Sequence, residues 1–238
     1  MSQPHNFCFP IRTLSNDRVK LVPLSVEKHA SSLVNQLIAH PELYAHMPLG
    51  PYTSTSDFVS SYLEKTSFPN PGYFTFAVID LTRPASPEDS EGELAGMMSF
   101  MDTSTVHLST EIGFVVVLPQ YQRTHVTTNA VGLMLQYALD GPDRGGIGLR
   151  RVQWKTSSMN PASARAAERL GFRHEGVLRW HMVFRGGEEK GKVGNGRGLP
   201  PGGEKGDLGR DTVMMGLCWD DWEGGARKKV EGLMARRE

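Results

Sequence analysis

Residues 111–131 read "EIGFVVVLPQYQRTHVTTNAV". The run 112–118 is apolar at nearly every position and stops at Pro119. A strand with such a continuous apolar end is one covered on both faces. From Val126 the apolar residues Val126, Ala130, Val131, Leu133, Met134 and Ala138 recur at helical spacing. Between strand and helix stand Gln122, Arg123, Thr124, His125, Val126, Thr127 and Thr128, with no glycine and no acid. The first turn of a helix has unpaired N–H groups and carries the positive end of the helix dipole. Such a turn binds anions, phosphate above all. Arg123 adds a fixed charge with a fork of donors, and Gln122, Thr124, Thr127 and Thr128 add neutral ones. The stretch supports two readings about equally: a diphosphate cradle, or a solvated loop whose threonines cap the helix.

Outward from this stretch the chain alternates. "RVKLVPL" reads as a first strand, and Ser25 can cap a helix over 26–39. A shorter helix is expected over 56–65. "YFTFAVID" and "ELAGMMSFMD" read as strands joined by the Pro/Ser/acid-rich segment 82–93, a long hairpin loop. "RRVQWKT" is a strand. "NPASARAAERLGF" has Asn160 to cap a helix, Pro161 at its first position and Gly171 just past its end. "HMVFR" and "DTVMMGLCW" supply the last strands, separated by the Gly/Pro/charge-rich segment 186–210, which reads as an unpacked, flexible insertion. The order β-α-α-β-β-β-α-β-α-β-β predicts an α/β protein built on one mixed sheet. The expected limits are an extension over 1–17, a domain over 18–222 and a basic tail or solvated helix over 223–238.

Composition bounds the partners. Apolar residues are 39% and charged residues 22% of 238, and the formal net charge is zero. No global field draws the chain to nucleic acid or an anionic membrane. No apolar run approaches the roughly 18 residues of a membrane span, and the first residues lack the pattern of a signal peptide. Cys8 and Cys218 lie far apart, with no CxxC or Cys/His spacing, so neither a disulfide framework nor a metal site is expected. The cytosol is the expected compartment, and monomer and homodimer both remain open.

Asn160 falls at the C-terminal end of a strand, where open α/β sheets place ligands. A plain capping role would need no ligand, yet Asn-x-x-Ser followed by small residues and Leu-Gly-Phe is more specific than a cap requires. With "EIGFVVVLPQYQRTHVTTNAV", "NPASARAAERLGFRHEG" and "HMVFRG…RDTVMMGLCWDDW", the sequence resembles the GNAT superfamily of acyl-CoA-dependent N-acetyltransferases. It is most similar to the branch holding the ribosomal-protein alanine and serine N-terminal acetyltransferases. The resemblance implies a twisted mixed sheet flanked by helices, whose two central parallel strands splay to admit acetyl-CoA. Backbone N–H groups near Val115, Val116 and Val117 would then hold the pantetheine amides and the thioester oxygen. Residues 123–128 would hold the pyrophosphate. Asn160 would contact the pantetheine arm, Ser163 would lie near the sulfur, and Arg165 would point toward CoA. The superfamily's usual Gln/Arg-x-x-Gly-x-Gly/Ala pattern falls on Gln122 to Thr127, where His125 and Thr127 replace the small residues. Glycine permits close approach to phosphate, so a side chain there must point away or narrow the cradle.

The implied chemistry needs a neutral amine, a polarised carbonyl and a proton for the thiolate. Glu111, opening the central strand, is the first candidate for the base; a strand-end carboxylate paired with a cation is the alternative. His181 is a second, with a side chain suited to proton transfer near neutrality. Ser163 is the candidate acid. Cys218 reads as an inert thiol. The acceptor, a small amine or a protein N-terminus, would meet the segment 40–52, with Tyr44, Met47 and Tyr52 as candidate contacts. The rival reading is a non-catalytic CoA-binding or interaction module on the same fold; a transferase using a longer acyl-CoA is a third.

Overall fold

The computed structural model describes residues 5–237. Strand β1 (Leu14–Ser15) precedes β2 (Val19–Pro23). Ser25 Oγ accepts from the Lys28 N–H and starts a helical segment that begins as Val26–Ala30 and continues as α1 (Ser31–Ala39). Ser54 does the same for α2 (Thr55–Phe58) by accepting from Asp57 N–H, and the helix runs on as Val59–Ser67. Then come β3 (Phe74–Asp80), β4 (Glu93–Ser104) and β5 (Ser109–Val117). Helix α3 (His125–Leu139) leads to β6 (Arg151–Ser157), and α4 (Pro161–Arg169) leads to β7 (Arg173–Phe184) and β8 (Leu208–Cys218). The chain closes with α5 (Trp219–Asp221) and α6 (Arg227–Met234). No helix among the described residues is long and apolar enough to cross a membrane.

One eight-stranded mixed sheet holds these elements together, in the order β1-β2-β3-β4-β5-β6-β8-β7. Only β5 and β6 run parallel, as a strand–helix–strand crossover requires. Their pairing covers Ser109↔Arg151, Thr110↔Val152 and Glu111↔Gln153 and stops there, although β5 continues to Val117 and β6 to Ser157. The two central strands therefore fork just after Glu111. A bulge sharpens the fork: the β4 register jumps from Met97↔Val116 to Ser99↔Gly113, leaving an extra residue on β5 near Phe114, whose φ is 47°.

Four segments differ from the sequence expectation. β7 begins at Arg173, well before "HMVFR". It is an edge strand with Val177, Leu178, Trp180 and Val183 exposed, so its solvated half carries no alternating signal. The segment from Phe7 to Leu14 packs on the sheet, with Phe7 stacked parallel to Phe100 and Leu14 buried. The basic tail is docked: Val230 and Met234 of α6 are buried, and their side chains lie against Gly132 of α3. Trp222 Nε1 and the Arg227 guanidinium both donate to Asp140.

The segment expected as a flexible insertion is also tied down, and its last residues belong to β8. Val193 N–H donates to Ala45 O at 2.7 Å, and Asn195 N–H to Gly209 O at 2.7 Å. Lys192 is buried, donating to Tyr44 O at 3.0 Å and Leu49 O at 2.6 Å, with its ammonium near the Tyr44 and Phe184 rings. Burial, reinforced by the nearby Lys190 charge, lowers its pKa to about 8. A depressed lysine contributes stability that is present above the unfolded value of about 10.4 and lost as pH falls through the folded value. Stability should therefore rise between pH 8 and about 10. Denaturant titrations of wild type and Lys192→Met across that window would check it; an identical pH slope in the two proteins sinks the assignment.

Candidate active site

The fork opens into a cavity of about 380 Å³ lined from both sides of the sheet. On one side lie Thr127 from the first turn of α3, and Trp154, Asn160 and Ser163, with the bulged residues Gly113, Phe114 and Val115 at the fork itself. On the other lie Glu111, Asp102, Lys155, His46, Met47, Met182 and Arg210.

The side facing α3 and α4 is a set of donors. Beyond Glu111 no strand pairs with β5 on the β6 side. Thr124 caps α3, accepting from Val126 N–H, while its hydroxyl donates to Tyr121 O at 2.6 Å. Gln122 Nε2 donates to Val117 O at 3.1 Å and so ties the loop to the strand end. Arg123 is exposed at φ 61° and has no acidic partner among the described residues. His125 turns away from the loop: its Nε2 sits 3.1 Å from Asp80 Oδ1 at the end of β3. The bulk that replaces the usual glycine is thus held against the sheet, and the mouth of the helix stays open. Val126, Val116 and Val117 are buried, so they offer only backbone groups, while Thr127 also lines the cavity. Thr128 is half-buried on the same turn.

Asn160 performs the cap: its Oδ1 accepts from Ser163 N–H at 3.1 Å. It also lines the cavity. Ser163 Oγ accepts from Trp154 Nε1 at 3.0 Å, which leaves the hydroxyl proton free to be donated inward. Arg165 is exposed on α4 and outside the cavity lining.

The opposite side is a charge network. Glu111 is 4% exposed, and Lys155 Nζ lies 2.6 Å from its Oε2. Lys155 also donates to Asp102 Oδ2 at 2.8 Å, and Tyr73 donates to Asp102 Oδ1 at 3.2 Å. Burial pushes the Glu111 carboxyl above the usual carboxylate range, against the pull of Lys155. Burial works against the Lys155 charge too, but Glu111 and Asp102 win and hold its pKa above the ordinary value.

His181 lies outside the cavity lining, though Arg210 and Lys155 stand near enough to add to the burial that lowers its pKa. β7 carries two extra residues between Leu178↔Thr212 and Met182↔Arg210, with Trp180 at φ 54°. This wide bulge leaves His181 exposed, its Nδ1 3.0 Å from Thr212 Oγ1, and gives the cavity Met182 instead. A period-two reading could not foresee the bulge. Met47 does line the cavity, whereas Tyr44 and Tyr52 are buried in an aromatic cluster with Phe58. Sequence reading passed over Lys155, Asp102, Arg210 and His46. Lys155 follows Trp154 on β6, so strand alternation places it on the Glu111 face. Arg210 had been assigned to the insertion.

A family description, the acetyltransferase (GNAT) domain, matches residues 18–173. The chain belongs to the GNAT acetyltransferases. Solved structures agree with that fold. A GCN5-related N-acetyltransferase from Brucella melitensis is 25% identical, with 96% of this chain and 87% of that one covered at a TM-score of 0.74. Mycobacterium smegmatis RimJ, in complex with CoA-disulfide, is 14% identical, with 96% of each chain covered at 0.66. Spermidine N-acetyltransferase from Vibrio cholerae, in complex with CoA and spermine, is 16% identical, with 87% of this chain and 99% of that one covered at 0.60. No curated protein sequence matches. In this GNAT chain the fork, the α3 mouth and the Glu111–Lys155 pair all meet at one cavity.

Proposed function

We propose that this GNAT chain moves an acetyl group from acetyl-CoA to a primary amine by direct attack. The observation that carries the reading is the parting of β5 and β6 just past Glu111. It leaves unpaired backbone N–H groups on one side of a cavity and a buried carboxylate on the other. The bulged strand at Val115, with Val116 and Val117 beyond it, would hold the pantetheine amides and the thioester oxygen. Gln122, Arg123 and Thr124, with the first N–H groups of α3 through His125, Val126, Thr127 and Thr128, would hold the pyrophosphate. Asn160 and, from the rim, Arg165 would complete the CoA contacts. Neighbours named for CoA complexes support this assignment.

Glu111 takes a proton from the acceptor ammonium, directly or through water. The freed amine attacks the thioester carbon; the C–N bond forms as the C–S bond breaks. Ser163 gives its proton to the departing thiolate and regains one as the nitrogen sheds its second. A backbone N–H of β5 steadies the negative oxygen, the kind of preorganised donor that contributes most to acyl transfer. His181, exposed beyond the bulge, is given no part in the transfer. One neighbour is named for a small polyamine acceptor; a small amine and a protein N-terminus are the two acceptor classes.

Acetyl-CoA at a hundredfold excess over its Kd should stabilise the native state by about 2.7 kcal/mol. A thermal melt reads this as an upward shift, given by acetyl-CoA and CoA but not by acetate. In Arg123→Ala the affinity should fall roughly tenfold, the loss of one charge-assisted contact. No shift at millimolar ligand would sink the transferase reading. A shift without turnover of any amine would return the chain to a CoA-binding module.

A further inference from the structure

Arg210 is the one charged group of the cavity for which the transfer has no use. It is 4% exposed on β8, opposite Met182 of β7, and lines the same cavity as Glu111. The only hydrogen bond of its side chain among the described residues is a long one, 3.4 Å from a guanidinium nitrogen to His46 O. Its Nε is buried with no partner, and so is His46 Nδ1 beside it. The acids around it are engaged elsewhere. Asp211, its neighbour in sequence, accepts from Trp180 N–H and Asn195 Nδ2 and pairs with Arg197. Asp207 holds Arg185, and Glu111 and Asp102 share Lys155. A buried guanidinium with an orphaned donor is costly unless an anion completes it, and guanidinium geometry matches a carboxylate.

Resting on the acetyltransferase reading, we propose that Arg210 docks a carboxylate of the acceptor, so that the preferred acceptors are amines bearing their own carboxylate, such as free amino acids. Glu111 lies near enough to attract Arg210 electrostatically, but no hydrogen bond joins them, so the guanidinium's donors are left for a carboxylate. A polyamine would bring a second cation against Arg210 in a setting that screens poorly. The site thus selects by repulsion as well as attraction. His46 Nδ1 offers a second polar contact at the same end of the cavity.

The test uses the full chain with acetyl-CoA and thiol-release detection. The acceptors are the common amino acids, each paired with its carboxamide, together with spermidine and a neutral alanyl peptide. The inference expects at least one amino acid to exceed its carboxamide in kcat/KM by roughly 10- to 100-fold, the range of one hydrogen-bonded charge. Spermidine should be poorer still. Arg210→Gln should bring acid and amide to near equality, mainly through the KM of the acid. Arg210→Lys, which keeps the charge, should retain part of the preference. Acetyl-CoA-dependent stabilisation of each variant reports that it is folded. Spermidine or the peptide used as well as every amino acid, amides used as well as acids, or no amine turned over at all would each overturn the inference. The last of these, like the absence of any acetyl-CoA shift in the wild-type melt, also ends the transferase reading; the others overturn this inference alone.

Discussion

Glu111→Gln lowers kcat by roughly 100- to 1000-fold at saturating acetyl-CoA, the usual worth of a positioned general base, and leaves acetyl-CoA binding in place. The substitution preserves the side chain's volume and removes only its basicity. Glu111 is suited to the task because two influences oppose each other on it. Burial raises its proton affinity, and Lys155 restrains the rise. A carboxylate in water is too weak a base to take a proton from an ammonium; one lifted toward neutrality is a better match. The pH profile separates this role from a structural one. In wild type, kcat/KM should climb with pH through an ionisation above the ordinary carboxylate value of about 4.3, and that limb should vanish in Glu111→Gln. The stability signature has the opposite slope. A carboxyl whose folded pKa is raised contributes stability that is fully present below the unfolded value and is lost as pH rises through the folded value. Wild type should therefore lose a little stability across the pH window in which it gains activity. If Glu111→Gln turns over at the wild-type rate with an unchanged profile, Glu111 is only the partner of Lys155.

How much of this site could be read in the sequence depends on the range of the interaction concerned. The α3 mouth and the Asn160 cap were legible because strand end, loop and helix start are consecutive in the chain. Thr124 and Asn160 cap where the local rules put them. Glu111 was nameable as a strand opener, but its partner was not, since Lys155 reaches it only through a parallel crossover of more than forty residues. His181 failed to reach the cavity for a reason no local pattern carries: two extra residues on an edge strand shift its register. Composition misjudged the segment 186–207. Glycine and charge suggested disorder, but one lysine, Lys192, finds two backbone carbonyls on the far side of the chain. The docked tail has the same lesson at smaller scale, because buried Val230 and Met234, with the Trp222 and Arg227 bonds to Asp140, outweigh a basic composition.

Gly96→Ala should be the most damaging single methyl in the sheet. Gly96 sits in β4 opposite Val117, at φ 156°. A Cβ there would meet the Val116 carbonyl oxygen at 2.0 Å and the Val116 carbon at 3.0 Å. The obstacle is backbone, which cannot rotate aside as a side chain could. β5 would have to move, and no strand pairs with it on its other edge, because the pairing with β6 has already ended. The strand should therefore yield toward the fork and narrow the cavity. Overpacking of this kind costs about 3 kcal/mol, and in a chain of this size that lowers Tm by roughly 6–12 °C. Gly198→Ala is the matched control: a Cβ at Gly198 meets nothing within 4 Å, and its effect should stay within about 0.5 kcal/mol. Function distinguishes local from global damage. If the clash pushes β5 into the fork, the folded fraction of Gly96→Ala should bind acetyl-CoA more weakly than wild type at a temperature well below its own Tm. A Gly96→Ala protein that melts and binds like wild type would show that β5 is not held against β4 at this point. The backbone donors assigned to Val115, Val116 and Val117 would then lose their fixed position.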